Sequence, residues 1–246
     1  SGSLHRSRSG SDPDRDGCHT GAVTELRAVL WDMDGTLVDT EPYWIACEFD
    51  LVEEFGGTWS ADDAHSIVGF DLLDAAVEIR TRGSVPLEPP QIVERLLDGV
   101  IAKVADELPW RPGAAELLAG CRAAEIPCAL VTMSWRRLAD SVLAAAPPGS
   151  FAASVTGDEV SAGKPDPEPY LAAAAQLGVA PWECVAIEDS PTGVAAAMAA
   201  GCATLGIPHV VSVPAADGLV LADSLSGFDV GGLRRLHADH LARVAI

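Results

Sequence analysis

The pattern of apolar and polar positions divides the chain into two textures. Residues 26–32 form a short apolar run that stops abruptly in Asp32, and a run of that length reads as a buried strand. From residue 41 to about 108 the apolar positions recur at helical spacing instead. Trp44, Cys47, Leu51 and Phe55 share one face, and Ile45, Phe49 and Val52 broaden it, so a helix is predicted that Gly56 and Gly57 end. Further helices are predicted over 61–67, over 72–80, and around Val93, Leu96, Leu97, Val100 and Val104 beyond the break at Pro89 and Pro90.

From residue 113 strands and helices alternate. A helix to about residue 124 leads into a strand over 127–131 that ends in Thr132. A helix over 135–146 is stopped by Pro147 and Pro148, and a short strand follows over 152–155. Asp166 is placed to cap the next helix with Pro167 in its first turn, and Gly178 stands where that helix should end. A strand over 184–187 ends in Glu188 and Asp189. Ser190 and Pro191 then open an alanine-rich helix closed by Gly201. Late strands over 202–206 and 218–221 and a terminal helix over 230–244 complete the pattern.

Such alternation predicts an α/β protein with a doubly wound parallel sheet, a Rossmann-like core carrying an inserted all-helical cap domain. The expected division is a disordered tail over 1–24, a catalytic core over 25–40 and 110–246, and a helical cap over 41–109, with Pro109 and Pro112 marking the return. In a parallel sheet of this kind ligands bind beyond the carboxyl ends of the strands. Asp32, Thr132 and the pair Glu188 and Asp189 all follow strand ends, so the topology would gather them along one edge.

Composition narrows the partners. With 36 acidic against 16 basic residues the formal charge is -20, a field that repels nucleic acid and anionic membrane surfaces, and neither is expected as a partner. A phosphorylated substrate would be repelled too, so its site must carry local cations. The six cysteines are scattered without metal-ligand spacing and read as reduced, as in a cytoplasmic protein. No apolar stretch has the length of a membrane span, and none has the pattern of a secretory signal.

The chemistry begins at Asp32. Asp32 and Asp34 lie two residues apart on an extended strand end and so face one pocket, where two carboxylates repel unless a proton or cation sits between them. Asp32, Asp189, Glu188 and the backbone carbonyl of Asp34 can supply the oxygens that Mg2+ prefers. Lys164 adds a positive charge, and Thr132 adds a hydroxyl beside the N–H of Met133. Together Thr132, Met133 and Lys164 suit the oxygens of a phosphoryl group. In that arrangement Asp32 is the nucleophile, forming an aspartyl-phosphate, and Asp34 the acid and base. Each group alone also has a plainer reading: an acidic turn for Asp32 and Asp34, a strand-end hydroxyl for Thr132, a loop lysine for Lys164, a helix cap for Asp189. His65, His209, His237 and His240 read as surface or structural residues.

In order, Asp32-Met33-Asp34-Gly35-Thr36-Leu37-Val38-Asp39, Thr132, Lys164-Pro165-Asp166-Pro167 and Glu188-Asp189-Ser190 resemble the four motifs of the haloacid dehalogenase superfamily. The resemblance spans about residues 26–225 and is greatest to the branch of sugar-phosphate phosphatases and β-phosphoglucomutase. It implies a Mg2+-dependent phosphatase of a small phosphorylated metabolite, with a sugar or polyol phosphate as the expected substrate. It also implies an aspartyl-phosphate intermediate and a mobile cap, with hinges expected at residues 40–42 and 109–112. Where the mutase carries cationic or imidazole side chains in its cap, this sequence has Trp44 and the loop Val68-Gly69-Phe70-Asp71, which favours hydrolysis. Trp44 and Phe70 are expected as an apolar wall over the substrate, with Arg136 reaching it from the core. A phosphosugar mutase and a catalytically silent phosphometabolite-binding protein stand as alternatives.

Overall fold

The computed structural model describes residues 25–68, 70 and 72–244; the tail over 1–24 lies outside them. Six strands form one wholly parallel sheet: β1 (Ala28–Trp31), β2 (Cys128–Val131), β3 (Ala153–Val155), β4 (Cys184–Glu188), β5 (Ala203–Gly206) and β6 (Leu219–Leu221). Their spatial order is β3-β2-β1-β4-β5-β6, which is the doubly wound arrangement expected from the sequence. The order reverses beside β1, where the chain runs outward to β2 and β3 and then returns to β4. Trp31 is in register with both Leu130 and Ile187, so the strand ends that bear Asp32, Thr132 and Glu188 are adjacent.

Both sheet faces are buried, which is why the central strands read as continuous apolar runs. Val29 and Trp31 of β1 enter one apolar cluster, while Ala28 and Leu30 enter the other, as the two-residue period of a strand requires. The second cluster is built largely from alanines of α7 (Glu168–Leu177) and α8 (Pro191–Ala200), whose small side chains let both helices lie close to the sheet. The first cluster involves α5 (Ala114–Ala123) and α9 (Val230–Val244), and it continues into the helices between β1 and β2.

Those inserted helices are α1 (Glu41–Glu54), α2 (Ala61–Ser66), α3 (Leu72–Arg82) and α4 (Pro89–Asp106). Helix α4 packs on α1 and α3 and also rests against α6 (Arg136–Ala145) of the sheet layer. Arg137 of α6 strengthens that seam through ion pairs to Glu94 and Asp98 of α4. The two connections into and out of the insert run side by side. Asp39 N–H donates to Pro109 O at 2.8 Å, and Arg111 N–H donates to Leu37 O at 3.0 Å.

One cap differs from the sequence expectation and one agrees with it. Helix α7 begins one residue later than predicted, with Pro167 at the cap position and Asp166 Oδ1 accepting from Glu168 N–H at 2.9 Å. Helix α8 is capped by Ser190, whose Oγ accepts from Gly193 N–H at 3.1 Å, so Asp189 is not its cap. Cys47, Cys121, Cys128, Cys184 and Cys202 are buried and free. Among the described residues no helix is long and apolar enough to cross a membrane.

Candidate active site at the carboxyl edge of the sheet

The first loop is shaped so that two acidic strand ends converge. Asp32 N–H donates to Ile187 O at 3.0 Å, which holds Asp32 in sheet register beside the end of β4. The chain then turns tightly: Leu37 and Val38 N–H donate to Met33 O at 2.9 and 3.0 Å, and Gly35 N–H donates to Val38 O at 2.8 Å. Gly35 adopts φ +87°, a left-handed conformation, and a Cβ there would lie 2.1 Å from Asp189 Oδ2. This glycine therefore lets Asp189 close against the first loop.

Lys164 is the electrostatic centre. Its Nζ donates to Asp32 Oδ1 and Glu188 Oε1, both at 2.6 Å, and to Val131 O at 2.9 Å. Ligand oxygens of Asp32, Glu188 and Asp189 lie within 4.8 Å of one another. Three carboxylates facing one ammonium leave an excess of negative charge in a buried place. Burial, and next the charge of Glu188, raise the Asp32 carboxyl well above the usual carboxylate range, with Lys164 pulling the other way. The same two causes push Asp189 up to about 7. Burial works against the Lys164 ammonium, but the charges of Asp32 and Glu188 outweigh it and hold its pKa above the ordinary lysine value.

Each oxygen of Glu188 already has protein donors. Oε1 accepts from Lys164 and, at 2.8 Å, from Tyr170 Oη–H; Oε2 accepts from the N–H groups of Asp189 and Ser190 and from Ser190 Oγ–H. By contrast Asp32 Oδ2 is buried without a hydrogen-bond partner among the described residues. An orphaned buried carboxylate oxygen beside Asp189 fits a hard divalent cation, which prefers such ligands. The cluster is thus one that could hold a divalent ion at Asp32 and Asp189, with Glu188 behind them holding Lys164.

The carboxylate of Glu188 fits only because α8 begins with a bare backbone beneath it: a Cβ on Gly193 would lie 1.8 Å from Glu188 Oε1. Gly193→Ala is expected to cost at least about 1–3 kcal/mol as an overpacked core site. Urea unfolding checks this, and an unchanged midpoint would count against the packing.

Asp34 is oriented by hydroxyls. Its Oδ1 accepts from Thr40 Oγ1–H at 2.5 Å, and its Oδ2 accepts from Ser134 Oγ–H at 2.7 Å, with Thr132 Oγ1 at 3.5 Å. Thr132 Oγ1 in turn accepts from Ser134 N–H at 2.9 Å. Met133 lies in the same loop and places its Sδ 3.3 Å from Lys164 N. Asp32, Asp34, Thr132, Met133, Lys164 and Asp189 all line one cleft of about 530 Å³, a size suited to a small molecule. Trp44 on α1 and Phe70 between α2 and α3 also line it.

Arg136 does not join them, contrary to the sequence expectation. Its Nε donates to Glu159 Oε1 at 3.1 Å and its Nη1 to Ser154 Oγ at 2.8 Å, with Asp140 also within ion-pair distance. These acceptors at the end of β3 draw the guanidinium along the sheet edge and away from the cleft. His209 departs the other way. Read from sequence as surface or structural, it lines the cleft and pairs with Asp39 Oδ2 at 3.3 Å. Ser134, Thr40, Tyr170 and Glu48 also contribute side chains at or beside the site, in roles that the sequence does not announce. Of these only Tyr170 left a signal: a tyrosine on an apolar helix face needs a buried partner for its hydroxyl.

Residues 26–201 match the family model described as haloacid dehalogenase-like hydrolase. The chain belongs to the haloacid dehalogenase-like hydrolases. It is 31% identical over 189 residues to hexitol phosphatase B of Escherichia coli K12, covering 75% of this chain and 84% of that protein. It is 33% identical over 192 residues to a phosphorylated carbohydrates phosphatase of Thermotoga maritima, covering 75% of this chain and 86% of that one. Among solved structures, CbbY from Rhodobacter sphaeroides in complex with phosphate matches with a TM-score of 0.72 at 26% identity, covering 85% of this chain and 99% of that chain. This haloacid dehalogenase-like hydrolase is a phosphoric monoester hydrolase.

Proposed function

We propose that the enzyme hydrolyses a small phosphorylated metabolite, a sugar or polyol phosphate, with Mg2+ and through an aspartyl-phosphate. The observation that carries this reading is the pairing of Asp32 with Lys164 beside Asp189, with one Asp32 oxygen unclaimed. The family and the curated relatives, whose names are those of phosphatases of hexitols and carbohydrates, support the substrate class.

When bound, Mg2+ would be held by Asp32, Asp189 and the Asp34 carbonyl, and it would offset the charge between phosphate and carboxylate. Lys164, Thr132 and the Met133 N–H bind the remaining phosphoryl oxygens. Asp32 attacks phosphorus, forming the Asp32–phosphate bond as the ester P–O bond breaks. Asp34 gives its proton to the departing oxygen, and the alcohol leaves. Asp34 then takes a proton from the incoming water, which attacks phosphorus and releases inorganic phosphate and free Asp32. Thr40 and Ser134 hold Asp34 in place for both transfers. Domain division follows the sequence reading in this proposal: residues 41–109 act as the cap, and closure about the paired connections excludes water.

Hydrolysis is favoured over phosphosugar isomerisation by the cleft wall. Among the described residues that line it, Lys164 is the only lysine or arginine, and it is committed to Asp32 and Glu188. A bisphosphate would find no second cation. The test is a panel of phosphorylated metabolites with Mg2+, scored for free phosphate and for isomerised product. Phosphate release that stops with EDTA is expected; isomer without phosphate would overturn the reading.

Cation binding should depend on pH. Asp189 sits at about 7 in the metal-free protein, so a proton competes with the ion below that value. Apparent Mg2+ affinity, measured by calorimetry, is expected to fall by about tenfold per pH unit below 7 as one proton is displaced. Stability moves oppositely in the metal-free protein. A carboxyl raised from 3.8 to about 7 contributes stability below its unfolded pKa, and that contribution is lost as pH rises through 7.

A further inference from the structure

The inserted helices place an acidic face over the cleft that the phosphoryl chemistry does not use. Glu41, Trp44 and Glu48 stand three and four residues apart on α1, hence on one helix face, and all three line the cleft. Asp39, just before the helix, lines it too. Glu48 is the unusual member. It is 6% exposed, yet it sits among the apolar side chains of the insert with no cation paired to it in the described structure. Its Oε2 accepts from the indole N–H of Trp59 at 3.1 Å, and no described residue donates to its other oxygen. Trp59 is itself fixed, with the Arg82 guanidinium 5.4 Å from its ring centre and Arg82 paired to Asp63.

The other Glu48 oxygen is not one of the buried atoms left without a partner, so it opens on the cleft, where a ligand's polar group can reach it. The ligand chemistry follows from the surroundings. A second anion on the substrate would meet Glu48, Glu41 and Asp39. Lys164, the only lysine or arginine among the described lining residues, is already engaged by Asp32 and Glu188, and the His209 imidazole stands against Asp39. A hydroxyl suits Glu48 in either protonation state, because the ionised carboxyl accepts from it and the neutral one can donate to it. Burial pushes Glu48 up to about 7 against the pull of the Trp59 N–H, with Glu41 adding to the rise, so both states occur near neutrality.

We propose that Glu48, held by Trp59, is the specificity-determining residue that hydrogen-bonds a hydroxyl of an uncharged, polyhydroxylated leaving group and rejects a leaving group carrying a second anion. The proposal rests on the phosphatase reading above and goes beyond it by naming the residue and the rejected class. Trp44 supplies an apolar surface for the carbon chain on the same helix face.

The test compares wild type, Glu48→Gln and Trp59→Phe with Mg2+ on three probes: sorbitol 6-phosphate, phosphoglycolate and 4-nitrophenyl phosphate. The last has neither a sugar hydroxyl nor a second anion, so dividing each variant's rates by its own rate on this probe shows whether a changed ratio comes from the hydroxylated or the anionic substrate. Wild type is expected to prefer sorbitol 6-phosphate to phosphoglycolate. In Glu48→Gln the ratio of their normalised kcat/KM values should fall by roughly tenfold, the scale of one hydrogen bond to a charged group, through KM more than kcat. Trp59→Phe should shift the ratio the same way by a smaller factor, and it reads the proposal independently if Glu48→Gln folds poorly. A ratio unmoved within about twofold in both variants, or a wild-type preference for phosphoglycolate, overturns the proposal and leaves the phosphatase reading intact. A wild-type protein that turns over none of the three probes ends both.

Discussion

Asp32→Asn is expected to lower phosphate release by at least about a thousandfold, the scale on which loss of a catalytic nucleophile is felt, in a protein that stays folded. The substitution keeps the size of the side chain and leaves a carbonyl oxygen to accept from Lys164, whose ammonium lies 2.6 Å from Asp32 Oδ1. What it removes is the negative charge and, in the proposed mechanism, the attacking power at phosphorus. Stability should not follow activity down. Burial and the charge of Glu188 disfavour the ionised form of Asp32, so a neutral isostere relieves repulsion in the metal-free state. Thermal unfolding without Mg2+ should therefore show an unchanged or higher midpoint, while added Mg2+ should stabilise the variant less than wild type. Phosphate release near the wild-type rate in purified Asp32→Asn protein would refute the nucleophile assignment.

Much of this site was legible because its residues stand at the ends of strands, and strands announce themselves. The apolar runs before Asp32, Thr132 and Glu188 each fix a direction, and a parallel sheet puts their carboxyl ends on one edge whatever the loops do. The same logic does not extend to residues one turn further on. Arg136 lies four residues past Thr132, but its direction is decided by Asp158, Glu159 and Ser154, which arrive 18–23 residues later in the chain. His209 is a mirror case. The loop after β5 brings it over the cleft to Asp39, 170 positions earlier in sequence, and no local period encodes that meeting. Glu48 was hidden for another reason. On a helix whose apolar face is broad, one acid reads as the solvent side, and only the packing of Trp59 against it shows that it is enclosed. The acid of Glu188 was visible, but the side chains that meet it were not. Its five protein donors come from α7, the β4–α8 turn and the Lys164 loop, and only their convergence turns a candidate ligand into a support for the lysine.

Lys164→Met should destabilise the metal-free protein by about 3–5 kcal/mol, the cost of removing one partner from a buried ion pair. Methionine fills much the same volume, so the expected loss is electrostatic and not a cavity. Without the ammonium, Asp32 and Glu188 face each other and Asp189 with no cation among them, and Glu188 Oε1 retains only the Tyr170 hydroxyl. The dependence on pH gives the cause its signature. The carboxyls can escape the repulsion by taking up protons, so the deficit relative to wild type should shrink toward pH 5 and widen toward pH 8. Added Mg2+ should recover part of the lost stability by restoring positive charge beside Asp32 and Asp189, yet it should not recover phosphate release, because the phosphoryl oxygens would still lack their ammonium partner. Urea unfolding at pH 5 and pH 8, with and without Mg2+, separates these effects. A deficit independent of pH would mean that Lys164 acts through packing alone, and the charge balance that brings Asp32 to phosphorus would then need another source.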